Sequence, residues 1–173
     1  MQNIPENSAL IIVDVQNDFI SGTLALKQGE QVVPPINNLI KNHTNNPNLN
    51  CIAYTRDWHH EDHISFYENR EKYGLESSEG AIAVEAVLTR KSKLMEGSNQ
   101  YKQILWPAHC RQNTEGAEYH KDLIKPGDSS KNFEILKGQS IECDSYSGFF
   151  DNYKEGKTEL DEKLREFKGF SSL

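Results

Sequence analysis

The chain has 173 residues, which suits one domain and is long enough to bury a core without disulfides or a structural metal. With 26 acidic against 19 basic side chains its net charge is -7, so nucleic acid and anionic membranes are poor candidate partners. No stretch resembles a transmembrane helix or a secretory signal, and three sparse cysteines indicate reduced thiols in an intracellular, cytoplasmic protein.

The first 57 residues predict a β-α-β unit. Residues 9–13 form a short, continuous, largely β-branched run, typical of a strand buried on both faces of a parallel sheet. Apolar residues recur at helical spacing over 32–40, with two prolines near the start, where a helix tolerates them. Residues 51–55 are a second apolar run. A helix that connects two such strands implies that they are parallel neighbours.

Residues 67–104 are polar and have the character of a surface excursion from the domain. Within this excursion, residues 81–88 are compatible with either a strand or a helix, and the sequence does not decide between them. The excursion contains neither histidine nor cysteine. We therefore expect no catalytic group in it.

The C-terminal part predicts a third strand at residues 133–136 and an amphipathic helix. Leu160, Leu164 and Phe167 lie at i, i+4 and i+7, which places them on one helix face. A crossover helix needs a strand to return to, and residues 170–173 resemble the beginning of one. We therefore expect a single α/β domain over residues 1–173 that is truncated at its C-terminus.

Polar side chains end the three clearest strands. Asp14 and Asp57 follow the first two strands, and Lys137 follows the third. In open α/β sheets the ligand crevice lies outside the carboxyl ends of the strands. A single carboxylate at such a position is often a turn residue. Two acids and one base at three strand ends indicate a candidate site.

A histidine-rich segment follows the second strand. In extended backbone Asp57 and His59 point to the same side and can face one ion together. A carboxylate oxygen and an imidazole nitrogen suit Zn²⁺, Fe²⁺ or Mn²⁺, and the third ligand could be His63, His60 or His109. The alternative interpretation is a solvated polar loop.

Aromatic side chains in three loops have two interpretations. Phe19, Trp106 and Tyr146 either anchor their loops to the core or form the wall of a pocket for a planar ligand. Cys110, which follows His109, is either a metal ligand or a buried thiol.

Several blocks of this sequence resemble the isochorismatase-like cysteine hydrolases, and within them the nicotinamidase (pyrazinamidase) branch. The resemblance spans nearly the whole chain, and its blocks occur in the order that the family has. They are LIIVDVQNDF at 10–19, TRDWH at 55–59, DHISF at 62–66, LWPAHC at 105–110, TEGAE at 114–118, KG at 137–138 and DSYSGF at 144–149.

The resemblance implies a three-layer α/β sandwich around a mostly parallel sheet, and hydrolysis of nicotinamide to nicotinate and ammonia in NAD salvage. It implies Asp14 as general base and Lys137 as the adjacent catalytic cation. The ligands of one divalent metal, with zinc preferred to iron or manganese, would be Asp57, His59 and His109. His63 stands where some relatives supply a further ligand. The pyridine ring would lie against Phe19, Trp106 and Tyr146. A homo-oligomer is compatible with this family.

One element of the family pattern has no counterpart. In the family the nucleophilic cysteine follows a glycine-rich turn after a later strand, and no Gly-x-Ala-x-x-x-Cys stretch occurs here. Cys143, six positions past Lys137, matches a variable position of the family. We therefore expect the 173-residue chain to be inactive. The alternatives are a non-catalytic form that binds metal or an intact subunit, and another hydrolase of the same superfamily.

Overall fold

The computed structural model describes residues 4–75, 84–91, 98–127 and 130–167. Its strands are β1 (Ser8–Val13), β2 (Leu49–Asp57), β3 (Val84–Lys91), β4 (Ser98–Leu105) and β5 (Asn132–Lys137). Its α-helices are α1 (Asn17–Ile20), α2 (Val33–His43) and α3 (Leu160–Glu166), and short 3-10 helices occur at Gly29–Val32, Tyr67–Asn69 and Glu115–Ala117.

The main sheet has the order β1-β2-β5, and both pairings are parallel. The predicted β-α-β unit is confirmed, with α2 as the crossover helix between β1 and β2. At the carboxyl edge of the sheet Val13 pairs with Thr55, and Asp57 pairs with Lys137. The three predicted strand ends therefore meet at one edge, as the parallel arrangement requires.

Helices cover both faces of this sheet. On one face, Ile52 and Tyr54 of β2 pack in a core cluster with Ile40 of α2. On the other face, the alternate β2 residues Cys51 and Ala53 cluster with side chains of β5 and α3. Burial of successive side chains on opposite faces explains the continuous apolar run that predicted this strand. The result is the predicted three-layer α/β arrangement around a parallel sheet.

The polar excursion contains an antiparallel hairpin. Strands β3 and β4 pair from Val84 with Leu105 to Lys91 with Ser98. The sequence did not decide between a strand and a helix for residues 81–88. In the structure, residues 84–88 belong to strand β3. Residues 81–83, and the strand expected to begin at 170–173, lie outside the described residues. Within the ranges given above, no helix has both the length and the apolar character needed to cross a membrane.

Candidate active site at the carboxyl edge of the sheet

A buried lysine joins the ends of all three parallel strands. The Nζ atom of Lys137 lies 3.0 Å from Oδ2 of Asp14, contacts Oδ1 of Asp57, and donates a hydrogen bond of 3.0 Å to the carbonyl of Ser145. Lys137 is only 3% exposed. Asp14 and Asp57, which the sequence placed at separate strand ends, thus share one ammonium group.

Burial and the charges of this cluster shift the pKa values of its members. Burial alone would lower the pKa of Lys137, but the charges of Asp57 and Asp14 outweigh it and raise that pKa. The ammonium is therefore retained. Burial and the charge of Asp57 raise the pKa of Asp14, even though Thr55 Oγ1 donates a 2.7 Å hydrogen bond to its Oδ1. Asp14 is thus a better proton acceptor than an ordinary carboxylate, next to a fixed cation.

Three residues next to this lysine form a group that could hold a metal ion. Asp57, His59 and His109 are buried, and their donor atoms lie within 4.8 Å of one another. The carbonyl of Gly138 lies 2.8 Å from Nδ1 of His59, and the carbonyl of Pro107 lies 2.8 Å from Nδ1 of His109. A carbonyl can only accept, so each Nδ1 carries a proton and Nε2 is the atom through which each ring would bind an ion.

A second donor group shares His59 and adds His63 and Asp144. His63 is fully buried, and its Nε2 atom has no hydrogen-bond partner. Buried polar nitrogens normally have a partner, so this atom indicates room for a ligand. Asp144 is also buried and accepts a 2.7 Å hydrogen bond from the backbone of Ser145. Because both groups contain His59, they describe the surroundings of one candidate ion position.

The net charge of the cluster suits a divalent cation. When ionised, Asp14, Asp57 and Asp144 carry three negative charges against the single positive charge of Lys137. Burial raises the pKa of Asp144, and the charge of Asp57 acts in the same direction. A divalent ion beside His59 would neutralise the remaining two negative charges. The residues present therefore fit a Zn²⁺-like ion in both donor chemistry and charge.

The three predicted ring-binding residues lie next to these groups, Phe19 on helix α1 and Trp106 and Tyr146 on loops. The ring of Phe19 lies 5.4 Å from the ring of His109, centroid to centroid. Trp106 Nε1 donates a 3.3 Å hydrogen bond to the hydroxyl of Tyr146, whose side chain is largely exposed. His60, which the sequence offered as a possible third ligand, is exposed and absent from both donor groups.

Two residues of this site were not singled out from the sequence. Asp144 carries no spacing signal of its own, although it lies in the block 144–149 that resembles the family. Gln16 is fully buried; its Nε2 donates to the carbonyls of Asp57 and Ala117, and its Oε1 accepts from the backbone N–H of Asp57. A buried glutamine cannot be distinguished from a surface one without the fold.

Known proteins resemble this chain in both sequence and fold. The model of the isochorismatase domain family matches residues 8–168. Nicotinamidase of Saccharomyces cerevisiae is 34% identical over 161 residues, covering 90% of this chain and 68% of that protein. The yeast nicotinamidase bound to the inhibitor nicotinaldehyde superposes with a TM-score of 0.74 at 30% identity, covering 91% of this chain and 69% of that one.

A second solved structure is the Pyrococcus horikoshii pyrazinamidase in complex with zinc. Its TM-score is 0.60 at 32% identity, with 91% of this chain and 63% of that chain covered. The chain thus spans about two thirds of the length of the relatives that it matches.

Replacement of Gly138 by alanine tests how tightly His59 is held. Gly138 has a φ of +65°, and an added Cβ would lie 2.3 Å from Cε1 of the His59 ring. Gly74 has a similar φ of +62°, but an added Cβ there would have no atom within 4 Å. Gly127 has neither a left-handed φ nor an atom within 4 Å of an added Cβ. The left-handed conformation alone should cost about 1–2 kcal/mol with alanine.

We expect the free energy of unfolding in urea to fall least in Gly127→Ala, more in Gly74→Ala and most in Gly138→Ala. The extra loss in Gly138→Ala measures the displacement of His59. Equal losses at Gly138 and Gly74 would mean that the imidazole moves aside freely, and would contradict a rigid ligand position.

Proposed function

We propose that this chain, which belongs to the isochorismatase domain family, carries the site of a nicotinamide amidohydrolase, the enzyme class that converts nicotinamide and water to nicotinate and ammonia. The observation that supports this most is the Lys137 ammonium, which contacts both Asp14 and Asp57 beside a His/His/Asp donor group. Relatives named nicotinamidase support the choice of substrate.

In this proposal Asp57, His59 and His109 hold one divalent metal ion, and zinc is the first candidate. The donor set of two imidazoles and one carboxylate is typical of catalytic zinc sites, which keep further positions open. The relative solved in complex with zinc supports the same choice. When bound, the ion would orient the pyridine nitrogen and polarise a bound water.

In this proposal Asp14 accepts the proton and Lys137 stabilises the negative charge. Hydrolysis of an amide through a thiol needs a base that removes the thiol proton and a cation that stabilises the resulting charge. Asp14 has the raised pKa of a proton acceptor, and the Lys137 ammonium lies 3.0 Å from it. The cation therefore stands where it can stabilise both the carboxylate and a neighbouring thiolate.

The pyridine ring would bind against Phe19, Trp106 and Tyr146. Aromatic side chains provide large, flat contact areas for a planar ring. The hydrogen bond from Trp106 to Tyr146 holds these two side chains together, and Phe19 lies next to His109. The ring would thus lie between the aromatic side chains and the metal ligands.

None of the three cysteines in residues 1–173 is proposed as the nucleophile. Cys51 lies in the core, where burial raises its pKa to about 11. Burial also raises the pKa of Cys110 far above the usual range, and the Cys143 thiol donates to the carbonyl of Asp144. A protonated thiol is a poor nucleophile. These thiols favour a second candidate function, a non-catalytic protein that binds metal and nicotinamide-like ligands at this site.

We place this protein in a reducing, intracellular compartment, with the cytoplasm as the first candidate. All three cysteines are free thiols, and all three are buried. Disulfides are the usual stabilising element of small proteins in oxidising compartments.

Zinc content tests the metal site. We expect the purified 173-residue chain to retain about one equivalent of zinc after dialysis, because three buried donors share one position. Asp57→Ala and His109→Ala should each lose most of it, as measured by elemental analysis. His60→Ala is the matched control, because its imidazole is exposed and should not affect the zinc content. Equal zinc content in all four proteins would reject the ligand assignment.

Ligand titration tests the substrate. Calorimetry of the zinc-loaded chain should show nicotinamide binding at least roughly tenfold more tightly than benzamide, a difference of about 1.4 kcal/mol. Benzamide is the matched control because it differs only by the ring nitrogen that the ion would orient. Asp57→Ala should remove this preference. Failure of nicotinamide to bind would reject the proposed function.

The same samples, assayed for ammonia, test the interpretation of the three thiols. We expect no ammonia release from nicotinamide by the 173-residue chain, because its three thiols are buried and a protonated, buried thiol is a poor nucleophile. Turnover that disappears in Cys143→Ala but persists in Cys51→Ala would make Cys143 the nucleophile and contradict this reading of the thiols.

A further inference from the structure

Asp18 places a buried carboxylate next to the turn that carries His109. Its Oδ2 atom accepts a 2.7 Å hydrogen bond from the backbone N–H of Cys110, 92 positions away in the chain. Its Oδ1 atom accepts a 3.1 Å hydrogen bond from the backbone N–H of Thr23. Asp18 is only 7% exposed. We propose that Asp18 is a positioning residue, which holds His109 in the orientation that metal binding requires.

Two glycines enclose this carboxylate. A Cβ added at Gly116 would lie 2.1 Å from Asp18 Oδ2, and one added at Gly22 would lie 2.4 Å from Asp18 Oδ1. Any other residue at either position would force the carboxylate to move. The two glycines therefore provide the space that the Asp18 side chain occupies, and their backbones confine the carboxylate to one position.

The residue that Asp18 contacts has an unusual backbone conformation. Cys110 has a φ of +47°, in the left-handed region, which costs about 1–2 kcal/mol for a residue with a Cβ. Its N–H is bound to Asp18, and its carbonyl accepts a 3.0 Å hydrogen bond from the backbone N–H of His59. A charge-assisted bond on one side and a backbone bond on the other stabilise this conformation. They also connect the segments of the two histidines in the donor group.

A second contact, from the turn that follows helix α1, lies on the other side of His109. Thr23 Oγ1 donates a 2.9 Å hydrogen bond to the carbonyl of Ala108. Asp18 and Thr23 thus bind the residues immediately after and immediately before His109. With the backbone fixed on both sides, the Nδ1–H of His109 donates to the carbonyl of Pro107, and its Nε2 lone pair remains available to the ion.

This inference rests on the metal site of the proposed function, but it assigns a separate role. Residues that orient a metal ligand, without touching the ion, typically contribute 10–100-fold in metal affinity. Asp18→Asn is the informative variant, because its shape is conserved. The amide has one acceptor oxygen in place of two, so one of the two backbone N–H groups would face an NH₂ group.

The test is the zinc affinity of the full chain, measured by competition with a chromophoric chelator. We expect Asp18→Asn to weaken zinc binding roughly 10–100-fold and Thr23→Val to weaken it less, in the same direction. The visible spectrum of the cobalt-loaded protein should change in Asp18→Asn, because the ligand geometry changes. Asp151→Asn is the matched control, since Asp151 also accepts hydrogen bonds from backbone N–H groups, those of Tyr153, Glu155 and Gly156.

The outcomes separate positioning from simple stabilisation. A zinc affinity and cobalt spectrum in Asp18→Asn equal to those of the parent, with a lower melting temperature only, would overturn the inference. If Asp18→Asn does not fold, Thr23→Val decides by the same two measurements. A parent chain that binds no zinc would reject the metal site itself, and with it this role of Asp18. Zinc binding by the parent that weakens in Asp18→Asn but not in Asp151→Asn would support both.

Discussion

The site depends on one buried ion cluster, in which the ammonium of Lys137 binds the carboxylates of Asp14 and Asp57. A buried ammonium is unfavourable unless opposite charges surround it, so the two acids and the lysine require one another. The parallel pairing of β1, β2 and β5 satisfies this requirement, because it brings three carboxyl ends to one edge of the sheet. The fold thus creates the juxtaposition from which the proposed chemistry follows.

Asp57 connects this cluster to the proposed metal position. Its Oδ1 atom contacts Lys137, while its Oδ2 atom lies 3.6 Å from Nε2 of His59. One carboxylate therefore contacts the lysine ammonium on one side and faces a histidine of the proposed metal position on the other. Asp144 adds a further negative charge nearby, and a divalent ion would neutralise the excess. On this account the base, the cation and the metal form one electrostatic unit, and the loss of one member alters the others.

The sequence predicted the strands and their polar ends because a strand buried on both faces has a recognisable apolar run. Asp14, Asp57 and Lys137 were accessible to this reasoning because strand ends converge in a parallel sheet. The residues alone left His63, His60 and His109 open as the third proposed ligand, and the choice of His109 required the family resemblance, since no local spacing connects it to Asp57. Asp18 could not be predicted, because its partner, the backbone of Cys110, is distant in sequence and revealed only by the fold. Long-range contacts of side chains with backbone leave no pattern in the residues themselves.

The central claim is that Asp57 is shared between Lys137 and a metal ion held by His59 and His109. A crystal structure of the chain grown with zinc, with anomalous differences recorded on both sides of the zinc absorption edge, tests this claim most directly. We expect one strong peak within bonding distance of Asp57 Oδ2 and of Nε2 of His59 and His109, with the lysine ammonium still on Asp57 Oδ1. A peak elsewhere, or a lysine displaced from Asp57 by the ion, would contradict it.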